Sequence, residues 1–189
     1  MPQRALRPQP SGDRRAGPGD SRSCGLGPAG LGPAPGSGRC DARGVATIKE
    51  LRSDDWDDWH ALWSGYIDFY RAELKEETGR ATFERMCEGR DGMFGLMGVD
   101  DQGRGIGMAD CVIHATTWSR RPTCYLEDLF VAPAARGRDL GRALLEAVKE
   151  QASARGAGRV YWHTQQYNGR ARSLYDQVGH PTSFVVYEM

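Results

Sequence analysis

The chain has 189 residues, 39% apolar and 26% charged, with 25 basic and 25 acidic side chains that leave no formal net charge. That composition fits one ordinary globular domain with an appendage. The charge balance argues against a dedicated nucleic-acid binder, and no apolar run approaches the roughly 20 residues a membrane helix needs, so neither nucleic acid nor membrane is expected as a partner.

Residues 1–44 hold seven of the ten prolines and ten of the 25 glycines, with no aromatic residue. Such a segment cannot bury enough apolar area to offset its ordering entropy, so a disordered tail is expected there. The tail has no apolar core of a secretory signal, and its prolines and glycines would break a targeting helix. Regular patterning starts at Val45, where a GTG codon could also start translation, so the folded domain is expected to span 45–189.

In chain order, residues 46–52 alternate as a first strand. Ser53, Asp54 and Asp55 offer N-cap side chains for a helix carrying Trp56, Trp59, Trp63, Tyr66, Ile67 and Tyr70 near a 3.6 period. A short second helix is expected over 82–87. Residues 93–99 and 106–116 read as strands joined at Asp100-Asp101-Gln102-Gly103, a hairpin signal. Residues 125–131 form another strand, closed by Pro133. The stretch 141–154 puts Leu144, Leu145, Val148 and Ala152 on one helical face, and 159–164 is a strand. Residues 168–178 space Ala171, Leu174, Tyr175 and Val178 as a helix, and 183–188 is expected to close the sheet. The order β-α-α-β-β-β-α-β-α-β implies an α/β fold, a mixed sheet with helices on both faces.

Five scattered cysteines, Cys24, Cys40, Cys87, Cys111 and Cys124, show no C-x-x-C pair, and the four histidines lack ligand spacing. They read as reduced thiols of a cytoplasmic protein without a metal site. Cys124 adjoins a strand but has no partner base, which disfavours a covalent thiol route.

The most informative stretch runs from Val131 to Leu145. A strand ends, a turn with Arg136, Gly137 and Arg138 follows, and an apolar helix begins. Main-chain N–H groups at such a turn converge, and the helix N-terminus adds partial positive charge, which suits a phosphate or diphosphate. Neither a Walker loop nor G-x-G-x-x-G occurs. The segment resembles the acetyl-CoA motif of the GCN5-related N-acetyltransferase (GNAT) family, Arg/Gln-x-x-Gly-x-Gly/Ala, with Arg136 first and Gly141 last. Tyr125-Leu126-Glu127-Asp128-Leu129-Phe130-Val131 before it is similar to the spermidine/spermine acetyltransferase branch. Asn168-Gly169-Arg170-Ala171-Arg172-Ser173-Leu174-Tyr175 after it is similar to the family's N-x-x-A-x-x-L/F-Y helix. The resemblance covers about residues 46–189 and implies a GNAT-type sheet, mostly antiparallel. It departs at Asp139, where the family usually has Gly. A carboxylate there could repel a diphosphate, although Asp could instead cap the next helix.

The resemblance implies acetyl-CoA as co-substrate, held by Leu129, Phe130, Val131, Arg136, Gly137, Arg138, Asp139, Leu140, Gly141, Arg142, Asn168 and Ala171, with no metal. Acetyl transfer to an amine requires that an alkylammonium, titrating near 10 like lysine, lose a proton, and that the departing thiolate meet a donor. Glu127, on a strand face expected to hold residues 125, 127, 129 and 131, is the expected base. Asp128 is expected to point the other way as a structural carboxylate. Tyr175 is the expected acid, with a core aromatic as its plainer reading. Trp59, Trp63, Tyr66 or Tyr70 could wall a cation site or simply face the core. His114 is expected to be a hydrogen-bonded core residue rather than a base. Asp54, Asp55, Asp57 and Asp58 would suit a cationic acceptor or form a solvated face. A small primary amine, such as a polyamine or amino acid, is the leading acceptor. A protein lysine is the alternative, and a non-catalytic CoA-binding module is a third reading. Relatives of this kind also suggest a homodimer joined through C-terminal strands.

Overall fold

The computed structural model describes residues 46–189. The tail expected over 1–44 lies outside these residues.

Five strands form one sheet in the order β1 (Thr47–Glu50), β2 (Met93–Val99), β3 (Gly105–His114), β4 (Thr123–Val131) and β5 (Arg159–Trp162). The first three pairings are antiparallel, and β4–β5 is parallel. The hairpin between β2 and β3 turns on Asp100, whose Oδ1 accepts the N–H groups of Gln102 and Arg104, each at 2.9 Å. This mixed, mostly antiparallel sheet is the fold class read from the sequence.

Helices α1 (Trp56–Tyr70) and α2 (Glu76–Cys87) cover one face, and α3 (Leu140–Ala154) with α4 (Gly169–Val178) covers the other. α2 begins six residues before the expected start because Glu76, Glu77 and Arg80 give its first turns no apolar stripe. On the α3 face, Phe94, Leu96, Ala109, Cys111, Cys124 and Leu126 meet Leu144, Leu145, Val148 and Ala152. On the α1 face, Met97, Met108 and Phe130 meet Trp59, Leu62, Trp63 and Phe83. The N-terminus of α3 comes unusually close to the sheet. A Cβ on Gly98 would lie 2.7 Å from Leu140 Cδ1, and one on Gly107 would lie 3.0 Å from Leu140 Cδ2. These two glycines let the helix start over the middle of the sheet.

The closing strand expected over 183–188 is absent from the described residues. Phe184, Val185, Val186 and Tyr187 are all well exposed. Their extended propensity gives no strand without a ladder partner, and β5, the edge strand beside β4, is only four residues long. Among the described residues, no helix is long and apolar enough to cross a membrane, and no group of three His, Cys, Asp or Glu could hold a metal ion.

Candidate active site

β4 and β5 form a fork. Their parallel ladder runs from Thr123↔Arg159 to Leu126↔Trp162 and stops there, while β4 continues to Val131. Beyond the last rung, the β5-facing main chain of β4 has no strand partner. A cleft of about 430 Å³ opens into the fork. Leu129, Phe130 and Val131 line it along β4, Tyr66 and Tyr70 reach it from α1, and Leu174 and Tyr175 reach it from α4.

Its far end is the start of α3. The first ladder bond of that helix runs from Ala143 N–H to Asp139 O at 3.0 Å. The amides of Leu140, Gly141 and Arg142 therefore precede the ladder and remain available to an anion. Gly137 reverses the chain at φ 82°. Asp139 also takes a left-handed conformation, φ 56°, and its side chain makes no capping hydrogen bond. The expected cap is thus corrected. Glycine is usual at this position because the backbone is left-handed, and Asp tolerates that region at some cost. Arg136 does not reach outward, because its Nε donates to Val131 O at 2.9 Å. Gly137, Asp139, Leu140, Gly141 and Arg142 line the cleft with Arg136, whereas Arg138 is exposed and does not. Asn168 caps α4, its Oδ1 accepting Ala171 N–H at 3.3 Å, and both residues line the same cleft. A cap and a place at the site coexist in Asn168.

The expected face of Glu127 needs correction. Register passes from Asp110↔Asp128 to Cys111↔Leu126, so Glu127 has no residue opposite it: β4 bulges there. The bulge shifts the alternation by one. Leu126, Leu129 and Val131 belong to the α3 side, while Phe130 packs with α1. Glu127 is left exposed at the mouth of the fork, lining the cleft. Asp128 instead turns to the α1 side near Tyr66, and burial lifts its carboxyl to about 6. Opposite it, the buried Asp110 accepts Trp59 Nε1–H on both oxygens, each at 3.2 Å, and burial raises it well above the usual carboxylate range.

Tyr175 is partly buried, with its ring 5.3 Å from that of Trp162. Burial, followed by the neighbouring Tyr70, pushes its hydroxyl up to about 12. Glu127 and Tyr175 thus lie on different elements but border one cleft. The aromatic helix divides in two. Trp59 and Trp63 are core residues, whereas Tyr66 and Tyr70 face the cleft. Cys124 is buried on the α3 face. None of Asp54, Asp55, Asp57 and Asp58 lines this cleft, and Asp55 is buried and pairs with Lys49 at 2.6 Å. His114 is exposed rather than in the core, its ring between Ala115 O and the Tyr161 hydroxyl. His163, which no spacing marks in the sequence, borders the cleft with its Nδ1 3.3 Å from the Tyr125 hydroxyl.

The model of the acetyltransferase (GNAT) family matches residues 49–180. The D-amino-acid N-acetyltransferase HPA3 of Saccharomyces cerevisiae is 33% identical over 142 residues, covering 75% of this chain and 88% of that protein. The uncharacterized N-acetyltransferase YhfO of Bacillus subtilis is 30% identical over 142 residues, 74% of this chain and 94% of its own length. A structure of the aminoglycoside N-acetyltransferase AAC(6')-Iy in complex with CoA shares the fold with a TM-score of 0.69 at 21% identity, covering 79% of this chain and 98% of that one.

Proposed function

The chain belongs to the GNAT acetyltransferase family and is an acetyl-CoA-dependent N-acetyltransferase; from that premise we propose that it acetylates the primary amine of a small molecule, by direct attack in a ternary complex. The observation that carries this reading is one cleft bordered by a carboxylate, a phenol and the open amides of a helix N-terminus. The relatives' names add weight, since a D-amino acid and an aminoglycoside are both small amine acceptors.

The residues suit acetyl-CoA. The α3 amides would take its diphosphate, and the open edge of β4 along 129–131, where the main chain of Leu129 and Val131 points away from β3 and that of Phe130 pairs with it, would hydrogen-bond its pantetheine arm and receive charge on the thioester oxygen. Glu127 accepts a proton from the incoming ammonium, freeing the nitrogen lone pair. The C–N bond forms, the thioester oxygen takes up negative charge, and its return expels the thiolate as the C–S bond breaks. Tyr175 meets that sulfur. A phenol near 12 is a poorer acid than a thiol near 8.5, so Tyr175 acts first as a hydrogen-bond donor to the thiolate, which solvent finally protonates.

A thiol-release assay with acetyl-CoA against D-amino acids, polyamines, aminoglycosides and lysine peptides tests the reading. Release with small amines is expected. Release with lysine peptides alone would replace the acceptor class. Binding of acetyl-CoA without release in any arm would leave only a CoA-binding module.

A further inference from the structure

The amine nitrogen has more protons to shed than Glu127 can take. It arrives as R–NH₃⁺ with three and leaves as R–NH–COCH₃ with one. Glu127 takes the first, and a carboxylate already holding a proton cannot take the next. Of the two protons lost, one ends on sulfur as the CoA thiol and the other in solvent. The nitrogen is most acidic just after attack, when it has gained the acetyl carbon and become cationic. A second acceptor near that point would speed its collapse to products.

We propose that His163 is this second acceptor, taking the proton that the nitrogen still holds once its bond to the acetyl carbon has formed. The inference rests on the amine-acetylating reading above. Its geometric basis is the fork: Leu126↔Trp162 is the last rung, and the next residue on each arm is Glu127 on β4 and His163 after β5. Both border the cleft. The His163 ring lies 5.3 Å from the Tyr125 ring and 5.7 Å from the Tyr161 ring, which fix its plane. With Nδ1–H donating to the Tyr125 oxygen, Nε2 carries the lone pair that accepts the proton. The ring is exposed, so the imidazolium returns its proton to water. Tyr125 is then a positioning residue. The ring's direct neighbours are Tyr125 on β4 and Tyr161 beside it, and the other titratable groups of the cleft around it are Glu127 on β4, Tyr66 and Tyr70 on α1, and Arg170 and Tyr175 on α4. Arg136, Asp139 and Arg142 stand at the phosphate end of the same cleft.

The test compares kcat, KM for acetyl-CoA and the pH profile in wild type, His163→Gln, His163→Gly and Tyr125→Phe, using the amine with the highest wild-type rate in the panel above. His163→Gln is expected to lower kcat about 100-fold with KM for acetyl-CoA within about twofold, and to remove one ionisation from the kcat profile. Added imidazole should restore part of the rate to His163→Gly, and Tyr125→Phe should lower kcat about threefold. An unchanged kcat and pH profile in His163→Gln overturns the proposal, as does a kcat loss matched by lost acetyl-CoA affinity. Wild type that turns over no amine defeats the underlying reading as well, whereas active wild type beside an indifferent His163→Gln defeats the histidine alone.

Discussion

The two faces of the sheet solve different problems with different materials. On the α3 face, the buried cluster is wholly apolar, from Phe94 and Leu96 across to Val148 and Ala152, and the open anion site at its edge is main chain. On the α1 face, two carboxylates, Asp110 and Asp128, lie opposite each other, Asp110 held by Trp59 and Asp128 near Tyr66. A coenzyme with an invariant diphosphate can be met by amides that no side-chain change removes. An acceptor that differs between relatives must be met by side chains. On the proposed reading, the α1 face therefore carries the stability cost of buried carboxylates, and the α3 face offers the coenzyme main-chain groups that substitution leaves in place.

That contrast breaks most readily at the chemistry. Glu127→Gln is expected to reduce kcat by about 10²- to 10⁴-fold while leaving acetyl-CoA affinity unchanged, read by steady-state kinetics beside calorimetry. Tyr175→Phe should cost less, about 10- to 100-fold in kcat, because the hydroxyl is first a hydrogen-bond donor rather than a full acid. With its phenol lifted to about 12, no loss of activity from its ionisation is expected below about pH 11.

Asp128 sharpens the comparison through stability. Its folded carboxyl titrates near 6, above the ordinary 3.8, so the folded state holds its proton where the unfolded chain has released it. Its contribution is fully present below pH 3.8 and is lost as pH rises through 6. Asp128→Asn should remove that slope and stabilise the protein at pH 7 by roughly 2 kcal/mol, measured by chemical denaturation at several pH values. The smallest effect belongs to the coenzyme face. Asp139→Gly relieves a left-handed aspartate, which should add about 1 kcal/mol of stability and tighten acetyl-CoA severalfold.

The legibility of the two faces also differed. Leu144, Leu145, Val148 and Ala152 mark α3 by period alone, and the turn from Arg136 to Gly141 announces an anion site through its glycines and the helix behind it. Departures arose where one residue changes the count. A bulge leaves no trace in composition, so simple alternation put Glu127 with Leu129 and Val131, while the extra residue sends Asp128 to Tyr66 instead. Tyr66 and Tyr70 share a helical stripe with Trp59 and Trp63, and only packing separates cleft from core. Phe184 to Tyr187 has strand composition without a ladder partner. A lone His163 after a short strand carries no spacing signal, and it gains meaning only when the fork sets it beside Glu127.

A calorimetric titration of acetyl-CoA into the Glu127→Gln, Tyr175→Phe double variant most directly tests the division between main-chain coenzyme binding and side-chain chemistry. Affinity within about threefold of wild type is expected, since neither substitution touches the α3 amides. A loss of tenfold or more, with wild type binding normally, would contradict it.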